Sequence, residues 1–142
     1  FLLSFFGEKD YQQLQIIRRM TRDLWLDVEV IGVPTVRESD GLAMSSRNRY
    51  LSTDDRREAL VLSRTLNALQ ETVARDGVES ALAAARREIE ASKRVRIDYL
   101  DIVDAQTLAP VSELLRPARA LVAAFIGTTR LIDNVEIKAP KR

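Results

Sequence analysis

The sequence contains no cysteine and no histidine among its 142 residues. Without cysteine there is no disulfide, no thiolate nucleophile and no sulfur-ligated metal, which fits a reducing compartment. Without histidine there is no imidazole general base, no histidine metal ligand and no Ser-His triad. Lysine, arginine, carboxylates and hydroxyls are left to carry any chemistry. Glycine (5) and proline (4) are scarce and hydrophobic residues make up 46% of the chain, so a packed core is expected rather than disorder. An excess of either charge is missing too. The 22 basic and 21 acidic side chains leave a net +1, which argues against a nucleic-acid partner. No apolar run approaches the roughly 20 residues that span a bilayer, and there is no charged-then-apolar leader pattern. No membrane partner is expected, and the cytoplasm is the default location.

What is present is organised around Asp40-Gly41-Leu42-Ala43-Met44-Ser45-Ser46-Arg47-Asn48-Arg49-Tyr50-Leu51-Ser52. This stretch lies between a strand-like run (Val28 to Val36) and a helical pattern that starts near Asp54. Ser45 and Ser46 offer hydroxyl donors, Arg47 and Arg49 offer forked charged donors, and backbone N–H groups add more. The combination suits an oxyanion. A triphosphate, or the pyrophosphate leaving from one, is the natural guest, because charge grows on it during transfer and fixed donors gain value there. The same residue types are also ordinary in loops, and Ser52-x-x-Asp55 is a capping box for the helix that follows.

Upstream, Phe1 to Phe6 is an almost unbroken apolar run, the pattern of a strand buried on both faces in a parallel sheet. Gly7-Glu8-Lys9-Asp10 follows, then a helical pattern with Leu14, Ile17 and Leu24, helped by Ile16 and Met20, on one side. Val28 to Val33 reads as a second strand. Strand, helix, strand is a βαβ unit, whose strands are parallel. Gly7 to Asp10 then lies at the carboxyl end of a parallel strand and at a helix start, where open α/β sheets bind ligands and phosphates. A plain helix entry explains the same residues, with Gly7 for the turn, Asp10 as cap, and Glu8 and Lys9 solvated. Of Gln12 and Gln13, one is placed to face the sheet edge.

A domain boundary is expected at about Val36 to Glu38. Beyond the serine-arginine loop, Leu62, Leu66, Leu69 and Val73 form the stripe of one amphipathic helix, which Gly77 breaks. A second helix turns Val78, Leu82, Ala85 and Ile89 inward and Arg86, Arg87, Glu88 and Glu90 outward as a solvated face. Strands follow over Val95 to Val103, Ala120 to Ile126 and Leu131 to Ile137, the last two joined as a hairpin by a turn at Gly127. This half should be a small antiparallel sheet covered by two helices, ending in a frayed tail from Lys138 to Arg142. The fold class is therefore α/β passing into α+β.

Taken together, Phe6-Gly7-Glu8-Lys9-Asp10-Tyr11-Gln12-Gln13-Leu14 and Val33-Pro34-Thr35-Val36-Arg37-Glu38-x-Asp40-Gly41-Leu42-Ala43-Met44-Ser45-Ser46-Arg47-Asn48-x-Tyr50-Leu51 closely resemble the pantoate–β-alanine ligase (pantothenate synthetase) family. The likeness continues more thinly through Arg96-Ile97-Asp98-Tyr99-Leu100 and Arg130-Leu131-Ile132-Asp133-Asn134. It implies a fold similar to class I aminoacyl-tRNA synthetases, with residues 1–36 the last part of a Rossmann-like nucleotide domain and residues 37–142 a small lid domain. It implies an ATP-dependent condensation of pantoate with β-alanine through pantoyl adenylate, releasing AMP and pyrophosphate.

On the same resemblance, Gly7, Glu8, Lys9 and Asp10 lie along ATP, with Lys9 on the phosphates and Asp10 near the ribose. Gln13 holds pantoate and Val36 touches the adenine. Met44 belongs to the loop that answers to the synthetases' Lys-Met-Ser-Lys-Ser segment, in which Ser45, Ser46 and Arg47 grip the β- and γ-phosphates. Lys9, Ser45, Ser46 and Arg47 are the expected catalytic set. Mg²⁺ is expected to be held by the phosphates rather than by dedicated protein ligands, and a homodimer is expected.

The chain departs from the family in lacking its early His-x-Gly-His motif. About the first half of the expected protein is absent, so a fragment, inactive alone, is expected. Residues 1–35, one βαβ unit cut from a sheet, are expected to pack against another copy, swap or lose order, and the remainder to fold by itself. The rival readings are a non-catalytic nucleotide- or anion-binding module and a plain interaction domain.

Overall fold

The structure, a computed structural model, describes residues 2–139. Phe1 and residues 140–142, on which the first strand and the tail were expected to begin and end, lie outside the described residues.

Strand β1 (Leu2–Gly7) passes through a 3₁₀ turn (Glu8–Asp10) into helix α1 (Tyr11–Asp23). Strand β2 (Val28–Val33) then pairs parallel with β1, in register from Leu2 opposite Val28 to Gly7 opposite Val33. The expected βαβ unit is present. Its first strand is not buried on both faces, however: Leu2 and Phe5 are each 61% exposed. A continuous apolar run needs cover on both sides of the sheet, and here only one side of the two-stranded sheet is packed. The helix stripe also narrows. Leu14 is buried and Ile17 half-buried, whereas Ile16, Met20 and Leu24 are exposed, and Tyr11 supplies the second buried position.

Helix α2 (Thr53–Asp76) begins as the capping box predicts, with Ser52 Oγ accepting the N–H of Asp55 at 3.1 Å. All four stripe residues, Leu62, Leu66, Leu69 and Val73, are buried. Gly77, at φ 81° and ψ 160°, ends α2 and starts helix α3 (Val78–Glu90) in a backbone region essentially reserved for glycine. In α3 the buried set is Val78, Ala81, Ala85 and Ile89, with Leu82 only partly covered. Its charges face outward, Glu88 meeting Arg64 of α2 at 3.2 Å.

Strands β3 (Val95–Asp104), β4 (Ala118–Ile126) and β5 (Thr129–Ile137) form an antiparallel sheet in that order, with a bulge between Ile97 and Tyr99. Both faces of this sheet are covered. Ile102, Ala120, Val122, Leu131, Val135 and Ile137 pack under α2 and α3. The alternate residues Val103 and Leu121 pack with Tyr11 and Leu14 of α1. The βαβ unit is thus docked on the face opposite the two helices, fastened by Tyr11 Oη donating to the carbonyl of Ala105 at 2.6 Å. β5 is an edge strand, and the connection from β2 to α2 passes along it.

Candidate active site

The first candidate segment sits at the carboxyl end of β1, the usual place for ligands in a parallel sheet. Gly7 has φ −68° and ψ 135°, which any residue adopts, so the turn itself does not demand glycine. A Cβ there would meet nothing within 4 Å. Asp10 occupies the N-cap position of α1 but its side chain makes no capping hydrogen bond. Neither device of a plain helix entry is in use. Gln12 is spent on Tyr99, its Nε2 donating to Tyr99 Oη at 2.9 Å, while Gln13 is exposed.

The second segment is a tight hairpin followed by a 3₁₀ turn (Ser46–Tyr50). The N–H of Met44 donates to the carbonyl of Val36 at 2.9 Å, and that of Glu38 to Leu42 at 2.8 Å, with Gly41 at φ 93° closing the bend. Val36 and Met44, the expected adenine contact and the head of the serine loop, therefore face each other across the hairpin, both largely exposed. Asp40 ties the bend to α2. The Leu42 N–H first, and Arg56 after it, hold its carboxyl below the usual range against the cost of desolvation.

Ser45 is the N-cap of the 3₁₀ turn, its Oγ accepting the N–H of Arg47 at 3.2 Å. Its hydroxyl proton remains available to donate. Buried Asn48 anchors the turn by donating to the carbonyl of Ala43 at 3.1 Å. Arg49 folds over Tyr50, Cζ 5.0 Å from the ring centroid. Ser46 and Arg47 are exposed, and among the described residues the Arg47 guanidinium makes no ion pair. Arg49 likewise makes no ion pair among the described residues, but its guanidinium is held by the Tyr50 ring and hydroxyl, whereas that of Arg47 is free of such contacts.

Two residues outside the expected site bring these segments together. Asn134 of β5 donates from Nδ2 to the carbonyls of Glu8 and Lys9, both at 2.9 Å, and its Oδ1 accepts from Arg119 Nη1 at 3.0 Å. Its neighbour Asp133 accepts both ends of the Arg37 guanidinium, at 2.8 and 2.9 Å. Arg37 also donates to the carbonyl of Gly41 at 3.0 Å, inside the hairpin that leads to Ser45. Arg119 completes the join, stacked 4.1 Å from the centroid of Tyr11 and 3.8 Å from the Glu8 carboxylate. The available signal was an Asp-Asn pair in the middle of the apolar run Leu131 to Ile137. Polar groups buried in a strand need partners from elsewhere in the chain.

A separate cleft of about 880 Å³ opens between α1 and the β3–β4 connection, lined in part by Arg18, Arg22, Asp104 and Arg116. None of the candidate residues lines it. Among the described residues no group of three or more acidic side chains comes together as a metal site.

A parallel βαβ unit followed by an α+β unit with a three-stranded antiparallel sheet makes this an α/β protein of nucleotidyltransferase-like fold. The sequence profile of the Pantoate-beta-alanine ligase family matches residues 3–136, and the chain belongs to that family. Pantothenate synthetase from Myxococcus xanthus is 54% identical over 140 residues, covering 95% of this chain and 47% of the relative. The crystal structure of the Thermus thermophilus enzyme superposes with a TM-score of 0.91 at 50% identity, over 96% of this chain and 50% of that one. A Francisella tularensis pantoate-beta-alanine ligase, solved with beta-gamma ATP and beta-alanine, superposes at 0.59 with 26% identity, over 94% of this chain and 42% of that one. The chain spans about half the length of the curated relatives it matches.

Proposed function

We propose that this chain carries the triphosphate-gripping part of a pantoate–β-alanine ligase. In the proposed reaction a carboxylate oxygen of pantoate attacks the α-phosphorus of ATP, the bond to pyrophosphate breaks, and pantoyl adenylate forms. The amine of β-alanine then attacks the acyl carbon, loses a proton and displaces AMP. The substrates supply the nucleophiles, so the protein's task is alignment and charge stabilisation.

Lys9 and the backbone of Gly7 to Asp10 take the phosphates and ribose at the strand end, and the open space at Gly7 lets a ligand approach the backbone closely. Val36 and Met44 offer an apolar edge to the base. Ser45, Ser46 and Arg47 hold the β- and γ-phosphates, Arg47 with its unspent guanidinium and Ser45 with a free proton. Gln13 reaches for pantoate. Mg²⁺ would enter on the nucleotide, whose oxygens would hold it and whose charge it would offset. The observation that supports this reading is that one strand, β5, binds both the Glu8–Asp10 turn and the hairpin before Ser45 through adjacent side chains. Residues 1–36 then serve as the nucleotide-domain side of the site and residues 37–142 as its lid. The exposed apolar face around Leu2, Phe5, Leu24 and Trp25 is where the rest of a relative's length would lie, or the second copy of a homodimer.

The test is AMP release from Mg-ATP, with pantoate and β-alanine, by this chain and by a chimera joining it to the first half of the Thermus thermophilus enzyme. Release by the chimera that needs both substrates is expected. ATP binding without pantoate-dependent turnover would make the chain a binding module, and no effect of ATP on melting would make it an interaction domain.

A further inference from the structure

Adjacent residues on a strand point to opposite faces of its sheet, yet Asp133 and Asn134 are both only 4% exposed. On one face Asn134 holds two consecutive carbonyls, those of Glu8 and Lys9, with a single amide group. On the other face Asp133 holds Arg37 by a two-point ion pair, and the Asp133 carboxylate also accepts the N–H of Asn134 at 2.7 Å. The connection continues without a gap. Arg37 bonds Gly41, the hairpin pairs Arg37 with Ala43, and the Ala43 carbonyl is held by Asn48 in the turn that displays Ser46 and Arg47. The side-chain links are hydrogen bonds that are at least partly buried, where such bonds strengthen one another. Arg37 and Ala43 are held opposite each other by the flanking backbone bonds from the Met44 N–H to Val36 and from the Glu38 N–H to Leu42.

From this geometry we infer that Asp133 and Asn134 are positioning residues: a rigid two-sided clasp that sets the spacing between Lys9 and Arg47. Neither needs to touch a ligand. Loosening one side of the clasp is felt at the segment on the other side. The inference rests on the proposed role of Lys9 and Arg47 in holding one polyphosphate.

Two readouts test it on this chain. Without nucleotide, Asn134→Ala should shift the amide resonances of Ser46 and Arg47, and Arg37→Lys, which keeps the charge but breaks the fork, should shift those of Glu8 to Asp10. Silence at both distant segments overturns the clasp whatever the protein binds. With Mg-ATP, calorimetry should show Lys9→Ala and Arg47→Ala combining severalfold less than multiplicatively, because both grip one rigidly placed chain of phosphates. In the Asn134→Ala background the two losses should multiply. A general structural defect lowers affinity and leaves that non-additivity intact, a result that overturns the clasp. Unchanged affinity in both Lys9→Ala and Arg47→Ala instead defeats the functional reading and leaves the resonance test standing. Should Asn134→Ala fail to fold, Arg37→Lys carries both measurements.

Discussion

Asp133 accepts both arms of the Arg37 guanidinium, at 2.8 and 2.9 Å, from a side chain only 4% exposed. Removing Arg37 leaves that carboxylate charged and buried without its partner. Such losses cost about 3–5 kcal/mol, and Arg37→Ala should fall near the lower end because Arg37 keeps 28% of its side-chain surface in water. Converting both partners together, Arg37→Met with Asp133→Leu, should cost less than Arg37→Ala alone. Urea-denaturation midpoints of the three variants decide it. A double variant worse than Arg37→Ala would count against the burial argument.

Gly32 makes a different prediction. A Cβ there would lie 3.0 Å from Glu8 Oε1, 3.1 Å from Leu14 Cδ2 and 3.2 Å from Arg18 Nη2. The Glu8 and Arg18 ends are long and movable, but Leu14 is among the largest fully buried side chains. Gly32→Ala should therefore cost about 1–3 kcal/mol, the usual range for overpacking. Thermal melting with the Leu14→Val background checks the cause, since trimming Leu14 should recover part of the loss.

At Gly77 the cost comes from the backbone. Nothing lies within 4 Å of a Cβ at this position, yet φ is 81°. Gly77→Ala should lose on the order of 1–3 kcal/mol through strain alone. Gly7→Ala, where φ is −68° and the space is equally open, should leave melting nearly unchanged. Equal melting of the Gly77 and Gly7 variants would refute the distinction.

Asp104 gives a pH dependence. The N–H of Thr107, followed by that of Gln106 and by Arg116, lowers its carboxyl from 3.8 to about 2, against an opposing desolvation. The folded state therefore binds the proton less readily than the unfolded one. The resulting stabilisation is complete above 3.8 and is lost as pH falls through that value towards about 2. In Asp104→Asn the amide oxygen still accepts the two N–H groups, so the loop should persist. The stability gap between the natural chain and the variant, read from urea midpoints, should be constant from neutral pH to near 3.8 and close below it. A gap that widens on acidification would reverse the assignment.

Local patterns were legible where each element answers to its own periodicity or cap. Ser52 and Asp55 announced the start of α2, Leu62 to Val73 its buried stripe, and Gly127 the β4–β5 turn, because these depend on neighbours a few residues away. The donor groups of the serine-arginine turn were legible from residue type, but the capping duty of Ser45 was not, since it needs the 3₁₀ geometry of residues 46–50. What escaped was set by tertiary packing. The exposure of Leu2 and Phe5 depends on what lies over the sheet. The roles of Arg37, Arg119, Asp133 and Asn134 arise between residues as far as 126 positions apart.

Arg47 is the residue on which the functional proposal bears most directly. It is exposed and its guanidinium has no ion pair among the described residues, so its removal should leave the melting temperature unchanged. If it meets the charge that grows on departing pyrophosphate, it acts as an oxyanion-hole donor does, and the loss in rate should be on the order of 10²- to 10³-fold. The rate to follow is pyrophosphate release by the chimera in single turnover with pantoate and Mg-ATP, before β-alanine is added, because only the adenylation step produces pyrophosphate. Arg49→Ala is the matched control. It removes the same charge two residues away, but its guanidinium is already stacked on Tyr50, so the rate should change by less than about threefold, within the range of a surface charge. Equal losses at the two positions would reduce the effect to general electrostatics. An unchanged rate in Arg47→Ala would remove the serine-arginine turn from the chemistry altogether.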